Sequence, residues 1–166
     1  MKKSANARFA IQTWDEKPYS ENQDQPKLTR ASVTKTYTGD IEGEGQVEYL
    51  MMYRSDGSAA FVGLERVVGR VGGKIGTFVL QRIGTFEGGL AKESYSVIRG
   101  SATGDLQGLT GDGSSAVGHG MEHPFTLSYE LGQHLRHGTG RHGGADAPLN
   151  ARPPGQQRVT QKSGCP

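Results

Sequence analysis

Hydrophobic and polar residues alternate one by one through much of the first 131 positions. In residues 28–40, for example, one face of the predicted strand carries Ala31, Val33, Lys35 and Tyr37. A repeat of two residues is the pattern of a β-strand, because successive strand side chains point to opposite faces. The alternation predicts eight strands, at residues 8–14, 28–40, 46–54, 59–70, 76–86, 90–97, 104–109 and 124–131.

Short turns separate these predicted strands and leave no room for crossover helices. The Asp56-Gly57 pair is typical of a hairpin turn, since such turns need positive φ angles. Sequential hairpins form an antiparallel meander, and closing an eight-stranded meander removes its two exposed edges. The sequence therefore favours an all-β fold with a closed eight-stranded antiparallel barrel, although alternation alone also permits an open sandwich.

The composition changes abruptly near residue 132. The segment from there to residue 166 is rich in Gly, His, Arg, Pro and Gln, and it has almost no large apolar side chains. Such a segment cannot bury enough surface to offset the entropy of ordering it. We therefore predict a barrel domain at residues 7–131 and a disordered C-terminal tail at residues 132–166.

Charge and cysteine content narrow the function classes. Residues 1–132 carry 14 Lys and Arg against 16 Asp and Glu, so the net charge of +2 comes from the tail. A nucleic-acid-binding barrel would carry positive charge on its folded part, and we expect no nucleic-acid partner. The lone Cys165 and the lack of a signal peptide or an apolar run long enough to cross a bilayer predict a cytoplasmic protein with no membrane partner.

Ionisable side chains inside a barrel of this size are the informative candidates for chemistry, because its interior holds side chains or one small ligand. If Glu48, Glu65 and Gln81 all point inward, they form a polar cluster in an apolar cavity, with Arg30 and Arg66 as candidate counter-ions. Two buried carboxylates can act as acid and base, so Glu48 and Glu65 are the predicted catalytic residues. Each glutamate can equally face solvent or pair with a basic residue on a neighbouring strand.

Leu50 and Met52 share the strand face of Glu48, and Phe61 shares that of Glu65. The predicted ligand-binding residues are Gln81, Tyr37, Leu50, Met52, Phe61 and Arg30. The strand tyrosines serve equally well as packing residues. His119 and His123 lie close in sequence, but no carboxylate or cysteine stands at a metal-ligand spacing beside them, and we expect no metal and no cofactor. The glycine-rich stretch at residues 111–120 lacks the context of a phosphate loop and is predicted to form turns.

Several segments together resemble a bacterial family, the domain of unknown function 3224. They are WDEKPY, LTRASVTKTYTGDIEGEG, VEYLMMYR, FVGLERVVGRVGGKIGTFVLQRIGTFEGG and GSATGDLQGLTGDG, in that order over residues 7–131. The resemblance implies an eight-stranded barrel similar to allene oxide cyclase, with a central cavity. It also implies Glu48, Glu65 and Gln81 as site positions, and a histidine after Gln81, where this chain has Arg82.

Two functions of different classes follow as hypotheses. The first is a module that binds a small, mostly apolar molecule in the barrel. The second is a cofactor-free isomerase or cyclase acting on an apolar intermediate by acid–base and conformational control. Both require an interior void of roughly 300 Å³ or more. A packed interior with an outer surface that forms a homodimer is the structural alternative.

Overall fold

The computed structural model describes residues 1–118, 120 and 122–132. Apart from Gly132, the predicted tail lies outside these residues. The described part of the chain forms nine strands: β1 (Lys3–Ser20), β2 (Lys27–Gly39), β3 (Ile41–Tyr53), β4 (Ala59–Val71), β5 (Lys74–Glu87), β6 (Leu90–Val97), β7 (Thr103–Gly104), β8 (Leu109–Val117) and β9 (Glu122–Leu131).

Eight of these strands close into an antiparallel barrel. The hydrogen-bonded order is β1, β2, β3, β4, β5, β6, β8 and β9, and β9 returns to pair with β1. The short β7 lies outside this circuit and pairs with β5 at Gly76 and Thr77. The predicted all-β, eight-stranded closed barrel is thereby confirmed. No helix long and apolar enough to cross a membrane occurs in the described part of the chain.

The seventh barrel strand differs from the prediction. Residues 105–108 form a turn, and the strand β8 runs through the glycine-rich stretch that was predicted to be turns. Gly113 explains the composition, because a Cβ there would lie 2.4 Å from Tyr95 Cε2 and 2.3 Å from the Thr126 carbonyl oxygen. The predicted strand at 104–109 was therefore wrong, and so were the predicted turns over residues 111–117. Glycine in β8 allows close packing under an aromatic ring.

The first strand contains a β-bulge that changes which side chains point inward. Ile11 pairs with Lys35 and Thr13 with Thr34, so Gln12 is the extra residue. Before the bulge the odd-numbered residues, such as Phe9, face the interior; after it Trp14 pairs with the inward residue Val33. A bulge shifts the alternation by one residue, and this one places Trp14 on the inward face of β1, where it lines a cavity and stays 47% exposed.

The interior has two unlike ends. At one, called here the packed end, apolar side chains fill the space, including Ile41, Phe78, Leu80 and Leu127. Leu106, from the turn between β7 and β8, is fully buried in the same cluster. The other end, called the cavity end, carries the β3–β4 turn at residues 54–58 and the β5–β6 turn at Gly88 and Gly89. Buried charged side chains lie between the two ends.

Candidate functional site

A hydrogen-bonded polar cluster crosses the middle of the barrel. It consists of Lys35 and Tyr37 from β2, Tyr49 from β3, Glu65 from β4, Arg82 from β5 and Glu93 from β6. At its centre, Glu65 is 0% exposed and accepts from Lys35 Nζ at 2.9 Å and from Arg82 Nε at 2.9 Å. The Tyr37 hydroxyl donates to its other oxygen. Burying a charge is costly unless it is paired, and Glu65 meets that condition with two cations and a hydroxyl.

Gly45 on β3 makes this cluster possible. It pairs with Lys35 on one side and with Val67 on the other, so it separates the strands that carry Lys35 and Glu65. A Cβ on Gly45 would lie 2.7 Å from Glu65 Oε2 and 2.9 Å from Tyr37 Cε2. The missing side chain therefore lets the carboxylate of β4 reach across β3 to the amine and hydroxyl of β2.

Arg82 connects the two carboxylates. Its guanidinium donates to Glu65, to Glu93 and, at 2.9 Å, to the Tyr37 hydroxyl. Its Cζ also lies 5.3 Å from the centre of the Tyr95 ring, within the range of a cation–π contact. Burial by itself lowers the pKa of Arg82, but Glu65 together with Tyr37, Tyr49 and Glu93 outweighs this effect and holds the pKa well above its usual value. Arg82 is thus a permanent cation.

Glu65 is ionised because two buried cations lie beside it. Burial raises the pKa of its carboxyl, but the charges of Arg82 and Lys35 outweigh that effect and bring the pKa down to about 2. Burial also lowers the pKa of Lys35 to about 8, and the like charge of Arg82 adds to this against the opposing attraction of Glu65. Lys35 is therefore the group of the pair that changes its protonation nearest neutral pH.

Above the cluster, toward the cavity end, lies a cavity of about 360 Å³. Its wall is mostly apolar and aromatic, with Phe9, Ile11, Trp14, Met51 and Phe61 among its members, and it extends to Gly57 in the β3–β4 turn. Lys35, Tyr49 and Glu93 form its polar floor, and Ser115 and His123 lie on its side. The volume is within the range of small-molecule sites.

One aromatic pair and one carboxylate shape the wall near the cavity end. Trp14 stacks on Tyr49 with ring centres 6.0 Å apart, and its Nε1 donates to Glu16 at 2.9 Å. The hydroxyls of Tyr53 and Thr29 also donate to Glu16, at 2.6 and 2.7 Å. Partial burial raises the pKa of Glu16, but these hydrogen bonds outweigh it and lower the pKa below 4.5. Glu16 thereby fixes the orientation of Trp14.

Three predicted site residues do face the interior. Glu65 and Tyr37 belong to the polar cluster beneath the cavity, and Phe61 lines the cavity itself. Of these, Glu65 and Tyr37 are not part of the cavity wall, because Lys35 and Tyr49 lie between them and the open space. Whether Glu65 takes part in a reaction stays a prediction.

The expectation that Glu48 and Gln81 join Glu65 inside is wrong. Glu48 lies on the outer face, where it accepts from Ser32 at 2.7 Å and from Arg30 at 3.1 Å. The hydrogen bonds from Ser32, and then the neighbouring Arg30, lower its pKa below 4.5. Gln81 is exposed, because its neighbours Leu80 and Arg82 take the inward positions on β5.

The outward position also applies to three predicted ligand contacts, Arg30, Leu50 and Met52. Leu50 is 49% exposed and pairs with Arg30 on β2. The inward side chains of β3 are Val47, Tyr49 and Met51, one residue out of phase with the prediction. Both faces of β3 carry apolar residues, so its own alternation does not determine which face is inside. The inward face of β3 is determined by β2, which alternates clearly and pairs with β3 residue by residue.

Three residues of the site are not among those predicted from the sequence: Lys35, Arg82 and Glu93. Lys35 occupies the apolar face of β2 with Val33 and Tyr37, and Arg82 continues the inward series of Leu80 on β5. A cation within an otherwise apolar strand face is the signal that identifies both. Within residues 1–118, 120 and 122–132, no group of three or more His, Cys, Asp or Glu side chains is placed to hold a metal ion.

No curated protein matches the chain. The crystal structure of a protein of unknown function from the DUF3224 family of Shewanella oneidensis MR-1 is similar, with 27% sequence identity and a TM-score of 0.69. The match covers 80% of this chain and 99% of that one. The family model for proteins of unknown function DUF3224 matches residues 5–129, and the chain therefore belongs to the DUF3224 family.

Proposed function

We propose that the barrel binds a small, mostly apolar molecule that carries one polar end. The observation that carries this proposal is the cavity of about 360 Å³ with an apolar wall and a polar floor. Burial of apolar ligand surface against such a wall supplies affinity, at about 25 cal/mol per Å². A few fixed polar groups at one end supply orientation.

The floor offers a defined partner for the polar end of the ligand. The Tyr49 hydroxyl accepts from Lys35 Nζ at 3.0 Å, and its own proton has no acceptor among the described residues. An ammonium group that donates to a hydroxyl oxygen strengthens that hydroxyl as a donor. A carbonyl or hydroxyl oxygen of a ligand would therefore accept from Tyr49.

Binding is favoured over the cofactor-free isomerase or cyclase because of where the predicted catalytic carboxylates lie. Glu48 is on the outer face, and Glu65 is ionised with both of its oxygens engaged. A carboxylate with a pKa of about 2 is a poor proton donor and a weak base near neutral pH. A catalytic proposal would have to rest on Tyr49, Lys35 or Glu93 instead.

Titration with 1-octanol tests the proposal, since Trp14 is the single tryptophan of the chain and lies in the cavity wall. We expect a saturable change in its fluorescence emission. Two neighbouring alanines give matched variants: Ala59 lines the cavity, and Ala60 lies on the opposite face of β4. Ala59→Phe should fill the cavity and remove the saturable change, whereas Ala60→Phe should retain it. No saturable change in the wild type, or equal binding by both variants, would refute the proposal.

A further inference from the structure

Lys35 has an environment unlike that of any surface lysine. Its side chain is 2% exposed, and Nζ lies 2.9 Å from Glu65 Oε1, 3.0 Å from the Tyr49 hydroxyl and 4.4 Å from the centre of the Phe9 ring. The same residue forms part of the cavity floor. A molecule occupying the cavity therefore contacts the Lys35 side chain.

The carboxylates of the polar cluster do not depend on Lys35 alone. Arg82 donates to Glu65 and to Glu93, and the Tyr37 hydroxyl donates to the second oxygen of Glu65. When Lys35 loses its proton, Glu65 keeps a buried cation and a hydroxyl as partners. The cluster thus tolerates a neutral amine at position 35.

We propose that Lys35 forms an imine with an aldehyde or ketone ligand held in the cavity. The proposal rests on the proposed function, because the apolar wall must first hold the ligand. The chemical class of the ligand is thereby specified: its polar end is a carbonyl group. Buried lysines with lowered pKa values are the ones that serve as nucleophiles toward carbonyl carbons.

The reaction needs no reagent besides the ligand. The neutral amine adds to the carbonyl carbon, and one proton moves from nitrogen to the former carbonyl oxygen, which gives a carbinolamine. The Tyr49 hydroxyl, 3.0 Å from Nζ, then donates a proton to the carbinolamine hydroxyl, and the C–O bond breaks with release of water. The remaining proton on nitrogen returns to the Tyr49 oxygen as the C=N bond forms.

The amine is available for this step at modest pH. Burial is the largest cause that lowers the pKa of Lys35 to about 8, so a substantial fraction of the side chain is neutral near that pH. An exposed lysine keeps a pKa near its ordinary value of about 10.4 and is almost wholly protonated there. The difference separates Lys35 from the exposed lysines in an experiment.

Reductive trapping tests the proposal. The protein is incubated with octanal and sodium cyanoborohydride near pH 8, and the octyl adduct is located by peptide mass spectrometry. We expect labelling at Lys35 to be about tenfold faster than at exposed lysines, because more of its amine is neutral. An excess of 1-octanol should slow labelling at Lys35 alone, since it occupies the cavity without reacting.

Two conservative variants serve as controls. Lys35→Arg keeps a positive charge beside Glu65 but lacks the amine, and it should lose the fast-labelled site. Lys92→Arg removes an exposed lysine of β6, and it should keep that site. Peptide mapping of the wild type locates the adduct directly, so the test does not depend on the Lys35 variant folding. Adducts spread evenly over exposed lysines, with none enriched at Lys35, would overturn the proposal.

The outcome is separable from the test of ligand binding. A saturable Trp14 response to 1-octanol without an adduct at Lys35 would overturn the imine and leave the binding proposal in place. Absence of both would overturn both. A fast adduct at Lys35 that 1-octanol does not slow would overturn the imine with a cavity-held ligand, because the carbonyl would then be reaching the amine by another route.

Discussion

Arg82 Nε donates to Glu65 Oε1 at 2.9 Å, and neither side chain is more than 1% exposed. Without this contact, Glu65 would keep Lys35 as its one buried cation, and Arg82 would keep Glu93 as its one carboxylate. Breaking such a pair by removing one partner is far more destabilising than breaking a pair on the surface. The contact therefore determines how the protein responds to mutation and to pH.

The two glutamates selected from the sequence form a matched pair for mutation. Glu65→Gln leaves Arg82 and Lys35 without a carboxylate in common, and we expect it to lower the free energy of unfolding by about 3–5 kcal/mol. Glu48→Gln breaks only an exposed ion pair with Arg30 and should cost about 0–1 kcal/mol. Urea denaturation of both variants measures the difference. Equal effects would contradict the assignment of Glu65 to the interior and of Glu48 to the outer face.

Acid should remove the contribution of ionised Glu65 to the free energy of unfolding. Its folded-state pKa of about 2 lies below the ordinary value of 4.5, so the folded protein binds fewer protons than the unfolded chain between these values. Stability from this group is therefore complete above about pH 5 and is lost as the pH falls toward 2. The difference in unfolding free energy between the wild type and Glu65→Gln should shrink over that interval. A difference that stays constant from pH 6 to pH 3 would argue against an ionised Glu65.

Raising the pH should increase the contribution of Lys35 to the free energy of unfolding. Its folded-state pKa of about 8 is below its ordinary 10.5, so between these values the unfolded chain binds more protons. The contribution of Lys35 to stability therefore rises with pH over this interval. Lys35→Arg stays charged and should lack this rise. Unfolding free energies of the two proteins, compared at several pH values from 7 to 10, test it, and parallel curves would contradict it.

Leucines at the packed end should matter for stability alone. Leu106→Ala removes a fully buried side chain and is expected to cost about 2–5 kcal/mol. Leu64, 55% exposed on the outer face of β4, provides the control, and Leu64→Ala should change stability by about 0.5 kcal/mol or less. Both variants should retain the Trp14 response to 1-octanol at temperatures where they are folded. Loss of that response in folded Leu106→Ala would show that the two ends are coupled.

The sequence was sufficient for the fold because its signals are local. Alternation and turn residues such as Asp56-Gly57 identify strands and hairpins without knowledge of distant residues. Where alternation was ambiguous, as in β3, the inward face was assigned wrongly. The face is decided by pairing with β2, whose inward residue Val33 lies opposite Val47.

The polar cluster could not be assembled from the sequence alone, since it depends on contacts across strands. Glu65 meets Lys35 over Gly45, a residue of the strand between them. The bulge at Gln12 also cannot be recognised from the hydrophobic alternation, yet it places Trp14 on the inward face of β1. The signal of the cluster in the sequence is a cation within an otherwise apolar strand face, at Lys35 and at Arg82.

The separation of the packed end from the cavity end makes the barrel a natural scaffold for engineered specificity. Side chains such as Met51 and Phe61 can be exchanged to reshape the cavity while the apolar cluster around Leu106 and Leu127 continues to support the fold. The polar cluster provides a chemically fixed floor for any such pocket. Exchanges confined to the wall would thus alter the shape of the cavity and leave Lys35 and Tyr49 unchanged in its floor.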